Sequence, residues 1–347
     1  MFTRARVVRW GVPAAALLVV AGAIGAGPVI AAVQGEPQLP ELTADQLLTE
    51  VGARWGGPGS MPPMSGTIVE TASLGIPALP AVPSGPSPLA LLSGSHELKV
   101  WYGSADQVRL AIPGPMSEQN LIYNKGQAWW WDSAANTATK IKIPSGTPAP
   151  APLPTAVTPP DAARLALAMA ESDTAVSVGN DSTVAGRAAY ELVLAPKAPE
   201  SLVRDVRLAV DGETMVPLRV QIFAKGAAEP AFEVGFDSIT FARPAPENFT
   251  FTPPPGAKVT EGDLPVLTQE RPQMPTGDLA VTGKGWTSVV TLPFDATQFK
   301  DNPLLAGAKT VAGGKVITTK LVSALITDDG RLLVGAVTPE TLEKAAG

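Results

Sequence analysis

The stretch LAVDGETMVPLRVQIF (Leu208–Phe223) decides the fold. Val206, Leu208 and Val210 alternate with Asp205, Arg207 and Ala209, and Leu218, Val220 and Ile222 alternate with Arg219, Gln221 and Phe223. VDGETMVP between the two runs supplies turn chemistry. Side chains on a strand point alternately to opposite faces, so this is a β-hairpin with one dry face and one wet face.

The same period of two recurs along the chain. Leu98, Val100 and Tyr102 alternate with Glu97, Lys99 and Trp101; Val108, Leu110 and Ile112 with Gln107, Arg109 and Ala111; Tyr190, Leu192 and Leu194 with Glu191 and Val193; Phe232, Val234 and Phe236 with Glu233, Gly235 and Asp237. YNKGQAW marks another tight turn, and it opens QAWWWDSAANTATKIKIP (Gln127–Pro144), read as a further hairpin. A sheet that is dry on one face throughout is antiparallel, curls, and needs a cover for its concave side. Two helices are available. ELTADQLLTEVGARW has Thr43 as N-cap with Gln46 in capping-box position, and an apolar stripe of Leu47, Leu48, Val51 and Trp55. TPPDAARLALAMAESD starts its helix on Pro159 and Pro160. Two short helices over a strongly curved sheet can leave a cavity.

Composition narrows the chemistry. The 347 residues are 45% hydrophobic, enough for a sizeable core, and include no cysteine and one histidine, His96. Disulfides, thiolate sites, cysteine nucleophiles and multi-histidine metal sites are therefore excluded. A serine–histidine triad would have to use His96, which the pattern places at the start of a strand and which reads more simply as a strand-edge polar residue. Glu191, Asp205, Glu233 and Asp237 alternate outward, so no acid–base constellation forms in a cleft; no enzyme activity and no cofactor are expected. The formal net charge is −6, with no basic footprint for nucleic acid.

The first 33 residues hold Arg4, Arg6 and Arg9 and no acid, followed by an uncharged span of 24 residues from Trp10 to Val33. This is an export address: a signal peptide cleaved after Ala32, or an uncleaved anchor that keeps the N-terminus in the membrane. Either way the body lies outside the cytoplasmic membrane. Two Pro/Gly-rich segments are apolar, Gly75–Gly94 and Ile143–Pro160; the first, with Ile76, Leu79, Val82, Leu89, Leu91 and Leu92, suits either a loop lying on or dipping into an apolar surface or a plain surface loop anchored by leucines. A third, Thr252–Asp278, precedes a small module of about three strands that ends in a short helix with Thr338 as N-cap. The expected organisation is an address (1–33), a half-barrel domain (34–262), a linker (263–280) and a small C-terminal β module (281–347).

Several segments together resemble a known family. GTIVET, LLSGSHELKVWY, VRLAI, QAWWWDSAANTATKI, AGRAAYELVLAPK, VRLAVDGETMVPLRVQIFAKG and FTPPPGAKVTE are similar to LolA-like outer-membrane lipoprotein carriers and to the MucB/RseB N-terminal domain. The resemblance covers roughly Leu42–Glu261. It implies a mainly β (α+β) fold, an unclosed antiparallel β-barrel with a helical lid, whose concave face accepts lipid or lipoprotein acyl chains; in the RseB-like relatives the scaffold restrains a membrane anti-sigma factor. A gating arginine, as such carriers use, has no counterpart here, since Arg109, Arg207 and Arg219 fall on the wet face. By parity the cavity is expected to be lined by Trp129 and Trp131, facing inward with Ile141 and Ile143, and by Val100, Leu110, Tyr190, Leu208, Val220, Phe232 and Phe236.

Overall fold

A computed structural model describes residues 39–55, 61–76, 94–141, 158–170, 173–262, 280–295, 305 and 307–347. The N-terminal address, Ile143 and most of the first two Pro/Gly-rich segments lie outside the described residues.

Thirteen strands form one sheet: β1 (Met64–Ala72), β2 (Gly94–Ser104), β3 (Gln107–Gly114), β4 (Ser117–Asn124), β5 (Gln127–Asp132), β6 (Thr137–Ile141), β7 (Thr174–Val178), β8 (Ser182–Val184), β9 (Arg187–Pro196), β10 (Val203–Asp211), β11 (Pro217–Ala224), β12 (Phe232–Thr240) and β13 (Lys258–Gly262). Their order is β13-β6-β5-β4-β3-β2-β1-β12-β11-β10-β9-β7, with β8 paired to β9 alongside. The path ends on β13 and β7 without joining them, so the sheet is an unclosed barrel.

The turns match the chemistry of their residues. Lys125 and Gly126 join β4 to β5 with φ of 47° and 86°, the double left-handed turn that suits a two-residue hairpin. The VDGETMVP turn is organised by Asp211, whose buried carboxylate accepts from Glu213 N (3.2 Å), Thr214 N (2.7 Å) and Thr214 Oγ1 (2.8 Å). Arg187 on β9 forks onto the same carboxylate and lies over the Phe241 ring at 4.8 Å.

One pair departs from the antiparallel expectation. β13 runs parallel to β6, because the chain after Phe251 returns along the open edge and covers it. Asn136 Nδ2 donates to Gly256 O (3.0 Å), and the Thr139 and Thr260 hydroxyls meet at 3.1 Å. An edge strand left bare would be a template for association with another chain.

Both expected helices form. In α1 (Ala44–Trp55) the capping box is closed: Gln46 N donates to Thr43 Oγ1 (3.2 Å) and Thr43 N to Gln46 Oε1 (2.8 Å). Leu47 and Val51 enter the core. In α2 (Pro159–Met169) Thr158 caps the first turn, and the buried side chains are mostly small, Ala162, Ala163 and Ala166 among them. Alanines let the helix approach β11 and β12 closely. Both helices share one apolar cluster with residues from β1 to β6 and from β8 to β12.

The C-terminal part is a second sheet of six strands rather than about three: β14 (Ala280–Thr282), β15 (Val289–Pro293), β16 (Lys309–Val311), β17 (Gly314–Thr318), β18 (Ser323–Thr327) and β19 (Arg331–Gly335), ordered β14-β15-β19-β18-β17-β16. Strands of three residues such as β14 and β16 are too short to show a period. Helix α3 (Pro339–Ala346) follows Thr338 and buries Leu342 against Leu325 and Leu333. This sheet is docked on the first. Leu202 N donates to Ala336 O (2.8 Å), Thr338 N to Glu200 O (2.9 Å) and Lys320 N to Leu74 O (2.8 Å). Trp286 is buried in the larger core and donates to Thr174 Oγ1 at 2.8 Å.

Two tests follow from this packing. Arg187→Ala leaves the Asp211 carboxylate buried without its cation, and should lower the unfolding free energy by about 3–5 kcal/mol in urea titration; a loss under 1 kcal/mol would mean that the turn does not need the pair. We propose that residues 34–262 form a folding unit. A truncation ending at Gly262 should still unfold cooperatively, but at lower urea than the full chain because Trp286, Leu321 and Ala336 leave the shared core; a non-cooperative transition would place the boundary elsewhere.

Candidate ligand-binding face

The strand registers define the interior face as rows of cross-strand neighbours. Leu192, Leu208, Val220 and Val234 stand side by side on β9, β10, β11 and β12, and the row ends at Glu70 on β1. Val100, Leu110, Leu121 and Trp130 form a second row across β2 to β5. Packing differs between the two. Leu208, Val220 and Phe232 are 0–1% accessible, whereas Val100, Leu110 and Ile141 reach 5–9% and Tyr102, Val108 and Ile112 are only partly buried. Partly buried apolar side chains occur at both ends of the face, Tyr102, Val108 and Ile112 on β2 and β3 and Val176, Val178 and Ile222 on β7 and β11.

Parity places Val100, Leu110, Ile141, Tyr190, Leu208, Val220, Phe232 and Phe236 on this face, and all eight are buried in the main core. Tyr190 also donates from its hydroxyl to Pro40 O (3.0 Å), tying the segment before α1 to the interior. The tryptophans require a correction. Trp130 points inward, in the core with Leu121 and Tyr123, while Trp129 and Trp131 occupy the opposite face. The cause is the β5–β6 loop. Four residues, Ser133–Asn136, separate the paired Asp132 and Thr137, so odd positions on one strand face even positions on the other. Ala128, not Trp129, is paired with Ile141.

Trp129 and Trp131 pack beneath Phe251, with ring centroids at 5.6 and 5.9 Å. Phe249 is buried beside them against Gly103, where an added Cβ would stand 3.1 Å from the ring. The segment from Pro246 to Phe251 thus covers the outer face of β2–β5, which makes Leu121, Ile122 and Tyr123 buried in succession. A strand covered on both sides loses its alternating pattern.

The three arginines considered from the sequence stay on the outer face. Arg109 donates twice to Asn120 Oδ1 (3.0 and 2.8 Å) and lies 5.1 Å over the Trp101 ring. Arg207 meets Asp205 and Glu191. Arg219 alternates with Leu218 and Val220 and packs against Gly235. The outward acids are not all solvated: Asp205 is buried between Arg204 and Arg207, and Glu233 accepts from Gln221 Nε2 at 2.6 Å.

Glu70 was missed, although its position carried a signal. It shares parity with Met64, Ile68 and Ala72 on β1, so an acid stands in the apolar register. It is 4% exposed, and Oε1 has no hydrogen-bond donor. Burial pushes the carboxyl up from about 4.5 to about 8. Among the described residues no three acids or histidines are placed to hold a metal ion, and no helix is long and apolar enough to cross a membrane.

No protein-family model and no curated protein matches the chain. Solved structures do. A chain of the Pseudomonas aeruginosa MucA/MucB complex is 17% identical with a TM-score of 0.43, over 87% of this chain and 96% of that one. A LolA-superfamily protein from Nitrosomonas europaea is 12% identical with a TM-score of 0.24, over 61% and 99%. LprF from Mycobacterium bovis is 12% identical with a TM-score of 0.31, over 64% and 100%. MucB and the LolA superfamily are the two groups that the hairpin segments resemble.

The Glu70 carboxyl sets a pH dependence. The folded state binds its proton more tightly than the unfolded chain, so this contribution is full below about pH 4.5 and is lost as pH rises toward 8. Glu70→Gln should remove it. The urea stability of the variant relative to the parent should rise between pH 5 and pH 8, by at most roughly 1.4 kcal/mol per pH step; a difference that stays constant with pH would show that the carboxyl titrates normally.

Proposed function

We propose that this chain is a non-catalytic binding protein of the extracytoplasmic cell envelope that holds a hydrophobic ligand, a lipid or a lipoprotein acyl chain, against its concave face. The observation that carries this reading is the interior face itself: rows of apolar side chains span an unclosed sheet. Helices α1 and α2 share this apolar cluster with Trp286, Leu321 and Ala336 of the docked C-terminal part. The arginine-rich, then uncharged N-terminus supports export or anchoring. In this reading Val100, Leu110, Trp130 and Ile141 contact the ligand, with Tyr190, Leu208, Val220, Phe232 and Phe236 forming the packed floor. Trp129 and Trp131 support the wall from behind.

The energetics are sufficient. A buried methylene is worth roughly 0.8 kcal/mol, so an acyl chain of about a dozen buried carbons retains several kcal/mol after the costs of association. A membrane-protein partner is the second reading. It is favoured by the resemblance to the regulator's N-terminal domain and by the second sheet docked beside the first.

A fluorescent fatty acid titrated into the delipidated protein should bind and quench tryptophan emission. Trp130→Ala should weaken binding by about tenfold or more, and Trp131→Ala by less than about threefold, with circular dichroism confirming that both variants are folded. No binding by the folded, lipid-free protein would remove the hydrophobic-ligand reading and leave the partner reading.

A further inference from the structure

Folding leaves one polar group on the interior face unused. The row Leu192, Leu208, Val220, Val234 is apolar until it reaches Glu70, directly across from Val234. On its own strand Glu70 lies between Ile68 and Ala72, both 1% exposed on the same face. Its backbone is accounted for: it is in register with Val234 on one side, and Ser95 Oγ donates to its carbonyl oxygen at 3.3 Å on the other. The side chain is different. It is 4% exposed, and Oε1 meets no donor.

Stability gives no reason for a glutamate here. A buried polar atom without a hydrogen bond costs free energy, and an apolar side chain of similar volume would not. A position that breaks the local rule without an internal compensation points to a site. The neighbours fix the kind of ligand. Ile68 and Ala72 flank Glu70 along β1 and Val234 faces it across β12, so on these sides a partner meets apolar side chains and should bring an apolar stem. It should also be uncharged, since an ion would have to be desolvated as well.

We propose that Glu70 Oε1 accepts a hydrogen bond from a hydroxyl or amide N–H at the junction between the apolar chain and the polar head of a bound amphiphile, and so selects chains that carry such a donor. This inference rests on the reading of the concave face as a hydrophobic-ligand site. A carboxyl kept protonated by burial fits an uncharged partner.

The test uses two probes of equal chain length, oleyl alcohol and its methyl ether, which differ in the hydroxyl donor. Each displaces the fluorescent fatty acid from the delipidated full-length protein. The alcohol should bind about tenfold more tightly than the ether. Glu70→Gln keeps an acceptor oxygen and should keep most of that preference. Glu70→Leu should abolish the preference by weakening the alcohol about tenfold more than the ether, whose oxygen can only accept from the protonated carboxyl of the parent. Leucine in this register is expected to fold at least as stably as glutamate. Equal affinities in the parent protein, or a preference that survives Glu70→Leu, would overturn the role of Glu70 while leaving the hydrophobic-ligand reading in place. Failure of both probes to bind would overturn both.

Discussion

The structure depends on the burial of one face of an open sheet. Thirteen strands each present alternate side chains inward, and the sheet has no partner strand to close it. It meets this demand by curling around a single apolar cluster and laying two short helices over it. The bulk of the stabilisation resides where Leu192, Leu208, Val220 and Phe232 touch protein on every side. Incompletely buried apolar side chains lie at both ends of the face, Tyr102, Val108 and Ile112 on β2 and β3 and Val176, Val178 and Ile222 on β7 and β11.

Charge is handled on the other side of the sheet. Guanidinium groups there are paired with carboxylates and laid over rings: Arg187 with Asp211 and Phe241, Arg204 and Arg207 with Asp205 and Phe223. These contacts keep arginines off the interior. Glu70 is the contrary case, an acid turned inward with no cation beside it, whose carboxyl burial drives toward the protonated form. Its environment separates it from the outward acids more clearly than its residue type does.

Much of this could be read from the sequence, for reasons specific to each element. Thr43 and Gln46 announce α1 because a side-chain oxygen and a side-chain amide must satisfy the first-turn N–H groups. Leu208, Val220 and Phe232 reveal their face because Asp205, Arg207, Arg219, Gln221 and Glu233 mark the opposite face of β10, β11 and β12 as polar. The tryptophans misled for the opposite reason. Phe249 and Phe251 cover the outer face of β5, so both sides of that strand are apolar and alternation carries no information. The four residues between Asp132 and Thr137 held the answer in loop length instead. Parallel pairing of β13 depends on a return path that no local pattern encodes, and β14 and β16 are too short to show a period. Glu70 was visible as an acid in an apolar register; its isolation became visible only with the neighbouring strands in place.

The central claim is that the concave face retains a hydrophobic ligand. Native mass spectrometry of the full-length protein, purified from the cells that make it without organic solvent, tests this most directly. The account requires adducts of lipid mass that persist through gentle desalting and disappear after solvent extraction. A spectrum of bare protein alone, recorded under conditions that preserve a control protein–lipid complex, would contradict it.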